Sequence, residues 1–303
     1  MSDNAMSFKS KLQLVVLAAL LVLIGYLMSR EVTYYGFQAY YAVKDRFDSR
    51  PVRHVLFIGN SRTYYHNMPM MVRFMADSAQ SPYLYVLSMH TPSGESFKGH
   101  WENSKVQNLL ELKWDEVVLQ GQSPENLMPI WSESFLEYGE KLILKARETG
   151  VIPKLYPPWI YEGGEYKALT AQYAGWYNQH VRYYEERKEF FYPFSPEVHY
   201  AYIQRDYLQL AQKTGADLVN IPEVWEKLRS SGPQYQYLTV DGNHPSLQGS
   251  YLVALMFYAA FSGDDVNNVS YVPGGLSQEE AEHIKKVVRD YLHEKKQNIE
   301  DNE

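Results

Sequence analysis

The sequence predicts an α/β body, a mostly parallel sheet covered by helices on both faces. Two observations carry this expectation. Short apolar runs alternate with longer amphipathic stretches along the chain, which is the pattern of strands joined by crossover helices. Apolar residues make up 45% and charged residues 21% of the 303, a composition that excludes both a disordered chain and a polytopic membrane protein. No internal repeat or low-complexity tract interrupts the alternation.

The first segment stands apart from the body. From Leu12 to Met28 the chain is almost unbroken apolar sequence, interrupted only by Gln13, Gly25 and Tyr26, with Lys9 and Lys11 before it and Arg30 after. At a rise of about 1.5 Å per residue it sits near the lower limit for spanning a bilayer core of roughly 30 Å. The position and basic flank are those of a signal anchor, and no Ala-x-Ala-like cleavage site follows. Residues 1–30 are therefore expected to form an uncleaved transmembrane helix, with the body periplasmic or extracellular. Residues 31–52, rich in tyrosine and charge, are expected as a juxtamembrane linker, residues 53–293 as the body and 294–303 as a polar tail.

Within the body, HVLFIGN precedes the helical stretch MPMMVRFMADSAQ, and YLYVLSMHT precedes FKGHWENSKVQNLLELK. DEVVLQGQ precedes a helical pattern near residues 132–149, VIPKLYPPW precedes helical segments near 165–190 and 197–214, and ADLVNIP reads as a further strand. Residues 277–292 carry a capping-box-like start and an amphipathic period, so a final packed helix is expected there, with a frayed tail beyond it.

In parallel sheets reactive groups gather at the carboxyl ends of strands. The first strand ends in Gly59-Asn60-Ser61, where glycine permits a tight turn and a serine meets the N–H donors of the next helix. Such a serine is either a helix N-cap or a nucleophile. A nucleophile needs a base, and DGNHPSLQGSYLVALMFYAA places Asp241 three residues before His244, so one loop can deliver both groups. The alternative for His244 is a solvated loop histidine beside a turn-forming Asp-Gly.

Other classes are excluded by what the chain lacks. A net charge of −7 without a basic cluster argues against nucleic acid, and the absence of cysteine removes disulfides, thiolate metal sites and a cysteine nucleophile. His54, His66, His90, His100, His180, His199, His283 and His293 form no metal-ligand spacing, so neither metal nor cofactor is expected. Arg62, His66, His90 and His100 flank the motifs and are candidates to line a pocket. Trp159, Trp176 and the abundant tyrosines (27 in all) read as packing residues, with a sugar-stacking wall as the alternative.

FIGNSRTYYHNMP resembles the first signature block of the SGNH hydrolases, the GDSL-like lipases and esterases, in a subgroup that reads GNS for GDS. DGNHPSLQGSYLVA resembles their last block, with its Asp-x-x-His pair, and TPSGESFKGHW the second. The resemblance covers roughly residues 53–262. It implies a three-layer αβα sandwich around a mostly parallel five-stranded sheet, a triad of Ser61, His244 and Asp241, and Gly94 as a backbone oxyanion donor. VVLQGQSPENL occupies the place of the third block but lacks Gly-x-Asn-Asp, and Gln122 falls where the donor asparagine would be, with Asn126 as a fallback. The implied activity is hydrolysis of an acyl ester, possible substrates being a small ester or an O-acetylated cell-envelope glycan. Acyl transfer onto a glycan, or a binding role on a degenerate fold, are the alternatives.

Overall fold

The computed structural model describes residues 44–127, 129–160, 196–231, 236–263 and 265–301. The expected span Leu12 to Met28, the helical segment near 165–190 and Trp176 lie outside them. Among the described residues no helix is long and apolar enough to cross a membrane. The chain divides into two units, Met1–Arg50 and Pro51–Glu303. In the first, the described end is closed by Arg50, which pairs with Asp48 at 2.7 Å.

Among the described residues the second unit is built on five parallel strands: β1 (Val52–Ile58), β2 (Leu84–His90), β3 (Glu116–Leu119), β4 (Lys154–Leu155) and β5 (Asp217–Leu218). They lie in the order β2-β1-β3-β4-β5. β1 is paired on both edges, with Ile58 opposite His90 of β2 and opposite Leu119 of β3. Its last four residues are buried, as a parallel strand covered on both faces requires.

Among the described residues the helices are α1 (Ser61–Tyr64), α2 (Met68–Ser78), α3 (Phe97–Glu102), α4 (Ser104–Leu110), α5 (Pro129–Arg147), α6 (Pro196–Thr214), α7 (Ile221–Ser230), α8 (Leu247–Ser262) and α9 (Gln278–Glu300). The strand period of two divides the core between them. Val55, Phe57 and Val118 face one layer, packed with α2, α7, α8 and α9. Leu56, Ile58, Val117 and Leu119 face the other, packed with residues of α3 to α6. The result is a sheet between two helical layers.

Two elements differ from expectation. Only Lys154 and Leu155 of VIPKLYPPW pair as strand, because three prolines there remove N–H donors from the ladder. The last helix runs to Glu300 instead of ending at 292. Its polar end is tied to α7, with Lys227 to Glu294 at 2.7 Å and Lys295 to Glu223 at 2.9 Å.

Candidate active site

Ser61 opens α1 directly beyond the carboxyl end of β1, and Asn60 caps that helix by accepting the Arg62 N–H. The turn is tight. A Cβ on Gly59 would lie 2.6 Å from Thr63 Oγ1 and 2.8 Å from Gln120 Oε1, so only glycine fits. Gln120, fully buried at the end of β3, holds the turn from the other side. Its Oε1 accepts from the Asn60 N–H and the Thr63 hydroxyl, and its Nε2 donates to Asn60 Oδ1 and the Gly121 carbonyl. Asn60 Nδ2 completes the knot by donating to the carbonyls of Glu95 and Gly121.

His244 reaches Ser61 from the loop before α8. Asp241 Oδ1 accepts the N–H groups of Asn243 and His244 and the Thr239 hydroxyl, which leaves Oδ2 for the imidazole. His244 Nδ1 lies 2.6 Å from that oxygen and Nε2 lies 2.9 Å from Ser61 Oγ. Burial pushes the Asp241 carboxyl up, but the hydrogen bonds from the His244 side chain, Thr239 and the two backbone amides outweigh it and hold the group well below the usual carboxylate range. An ionised Asp241 needs a proton on Nδ1, so Nε2 is the nitrogen left to accept from the serine.

Two neighbours steady this loop. The Tyr65 ring stacks on His244 with centroids 4.2 Å apart and planes 9° from parallel. The backbone turns sharply after it, His66 and Asn67 both having positive φ, and His66 Nδ1 meets the buried Ser250 hydroxyl at 3.0 Å. Arg62 is buried, and its Nε and Nη2 donate to Asn243 Oδ1 at 3.1 and 2.9 Å. Arg62 also donates to the Trp159 carbonyl, while the Trp159 indole N–H donates to the Asn243 carbonyl at 3.0 Å. Trp159 itself is buried and stacks on Trp225, so it is packing that braces the loop.

Gly94 adopts a left-handed φ of 67°, and a Cβ there would lie 3.9 Å from Gln122 Nε2. Gly94 and Gln122 are thus neighbours. Asn126 does not join them: it is fully buried and donates to Asp206 at 3.0 Å, which removes it as a fallback donor. His100 is buried with Nε2 on the Gly59 carbonyl, and burial pushes it down to about 4, so it acts as a neutral strut under the turn. His90 and His66 flank the site; neither contacts Ser61 or His244 in the described network. Among the described residues no group of histidines and carboxylates could hold a metal ion.

By sequence, the chain matches no family model and no curated protein. By structure, a DUF4886 family protein from Bacteroides uniformis superposes with a TM-score of 0.62 over 80% of this chain and 95% of that one, at 16% identity. A candidate SGNH hydrolase from Slackia heliotrinireducens covers 68% of this chain and 97% of its own, with a TM-score of 0.51 and 22% identity. The chain has the SGNH hydrolase fold. A candidate GDSL-like lipase from Parabacteroides merdae shares it, with a TM-score of 0.50 and 14% identity over 71% of this chain and 98% of that one. In the SGNH fold of this protein the sequence motifs lie together at the carboxyl end of the sheet. Arg62, a candidate to line a pocket, belongs to the same network, and so do Tyr65 and Gln120, which no spacing singled out.

Proposed function

We propose that this chain is a serine ester hydrolase with Ser61 as nucleophile, His244 as base and Asp241 as the group that orients it. The reading is carried by the unbroken relay from Asp241 Oδ2 through His244 to Ser61 Oγ, with separations of 2.6 and 2.9 Å. His244 Nε2 takes the serine proton as Oγ adds to the ester carbonyl, and the imidazolium is stabilised by the ionised Asp241. The oxyanion meets the N–H of Ser61 at the start of α1, the N–H of Gly94 and the amide of Gln122. Loss of one such donor costs about 2.7 to 4 kcal/mol of barrier. His244 then returns its proton to the departing alkoxide, and water enters by the same route to free the acid.

The finer reading is a membrane-anchored, extracytoplasmic esterase. Its support is the apolar run Leu12 to Met28 with its basic flank. The substrate class is an acyl ester, and O-acetyl groups of a cell-envelope glycan are the form such an anchored body would meet.

A fluorophosphonate probe followed by intact mass tests the core of the proposal. Wild type is expected to gain one adduct on Ser61, and Ser61→Ala and His244→Ala to gain none. A folded wild type that stays unlabelled would overturn it. Membrane fractionation of the full chain against one lacking residues 1–30 tests the anchor.

A further inference from the structure

The two residues assigned to the oxyanion side arrive on separate loops, Gly94 after β2 and Gln122 after β3. Asn60 bridges those loops at the Glu95 and Gly121 carbonyls, and a second buried side chain joins them at Gln122 itself. Glu125, in the helical turn Ser123–Leu127, is 6% exposed and its Oε2 accepts the Gln122 N–H at 2.7 Å. Its carboxyl also lies near enough to the backbone N–H of Phe97, the first residue of α3 and three positions past Gly94, to be stabilised by it. The packing around it is close: a Cβ on Gly121 would lie 3.0 Å from Glu125 Oε2 and 2.8 Å from the Phe135 ring.

We propose that Glu125 is the positioning residue of the oxyanion side, holding the Gln122 turn against the start of α3 so that Gln122 and Gly94 face one point. This rests on the hydrolase reading above. A glutamine amide has one more rotatable bond than an asparagine, so its direction depends more heavily on where its backbone is fixed. Glu125 supplies that fixing through a contact at the Gln122 N–H itself. It touches neither substrate nor reacting atoms.

The same arrangement makes the site sensitive to alkali. Burial pushes the Glu125 carboxyl up to about 8 against the pull of the Gln122 and Phe97 amides, and Glu95 adds to the rise. The polar groups facing it are those two amides, Glu95 at the start of α3, and Tyr207 of α6, whose phenol donates no charge because burial raises it well above its usual range. Below about pH 8 the carboxyl is neutral. Above it, a negative charge appears beside the donors that the oxyanion needs, and turnover falls.

The test uses the full chain and two independent readouts. In backbone amide spectra recorded from pH 6 to 9.5, the Gln122 and Phe97 resonances of wild type are expected to move together with one midpoint, and to lose that transition in Glu125→Gln. Separate midpoints, or a transition that survives the substitution, would overturn the tie whether or not Ser61 is reactive. In ester turnover, Glu125→Ala is expected to lower kcat about a hundredfold with little change in KM. Glu125→Gln should recover the larger part of that loss and remove the alkaline decline. A decline that persists in Glu125→Gln would refute the assignment. An unlabelled Ser61 in wild type would instead overturn the hydrolase reading, leaving the amide titration to judge the tie alone.

Discussion

His244 is held at three points, by Asp241 on Nδ1, by Ser61 on Nε2 and by the Tyr65 ring on its face. Each contact makes a different demand. Asp241→Asn should keep the fold and lower kcat about ten-thousandfold, because an amide can donate to Nδ1 and so favour the wrong tautomer; initial-rate kinetics beside a thermal melt would check it. Tyr65→Leu removes a stacking contact of the kind that contributes about 0.5 to 1.5 kcal/mol, so kcat should fall by up to about tenfold, with Tyr65→Phe close to wild type. A tyrosine-to-phenylalanine change as damaging as the leucine would show that the hydroxyl matters instead. The grouping of Ser61, Asp241 and His244 was legible in the sequence as a candidate, because a serine after a strand and an Asp-x-x-His loop have few other shared uses. Tyr65 and Glu125 were not, and Arg62 reads there as a pocket residue without its bracing partner. Arg62 and Asn243 are 181 positions apart, and nothing local to an arginine says that it will brace a loop so distant.

At the level of elements, the sequence showed where strands meet helices but not how long each strand would be. β1 was plain, since its last four residues are buried on a run of apolar side chains. β4 and β5 pair over two residues each, and pairing that short leaves no period to read. The helix α8 shows how packing overrides local preference. Alanine in place of a glycine inside a helix usually stabilises by about 1 kcal/mol. At Gly249, however, a Cβ would lie 2.3 Å from the Tyr237 carbonyl and 2.6 Å from the Trp225 ring, so Gly249→Ala should destabilise. Urea unfolding of the variant would show a lower midpoint, and an unchanged or higher one would mean that the Trp159 and Trp225 stack can yield.

For the molecule as a whole, buried titratable groups set how stability depends on pH. Glu125 is raised in the fold from an ordinary value of 4.5 to about 8, so over that interval unfolding releases a proton. Its contribution is complete below about pH 4.5 and is lost as pH rises to about 8. His100 and His199 behave in the opposite sense, since burial pushes them down to about 4 and about 3. Their contribution is present above about pH 6.5 and is lost as pH falls through those values. Denaturant titrations are expected to give Glu125→Gln a flatter profile than wild type between about pH 7.5 and about pH 8.5, where the two histidines are almost fully deprotonated in both states and contribute little slope. Identical slopes would mean that Glu125 is already ionised in the folded protein.

The order of the strands also has a consequence in time. β1, with Ser61 at its end, is an interior strand of the sheet, while His244 lies 183 positions further along the chain. At a synthesis rate of about 5 to 20 residues per second, the nascent chain carries Ser61 for roughly ten to forty seconds before His244 has been made. During that interval the serine is an ordinary alcohol. Ribosome-arrested chains ending before residue 244 should resist a fluorophosphonate probe, whereas chains long enough to release α8 and α9 should take it up. Reactivity in the shorter chains would mean that some other group activates Ser61. A serine that depends on a histidine so far along the chain would stay harmless to the esters around it until that histidine has been made and folded into place.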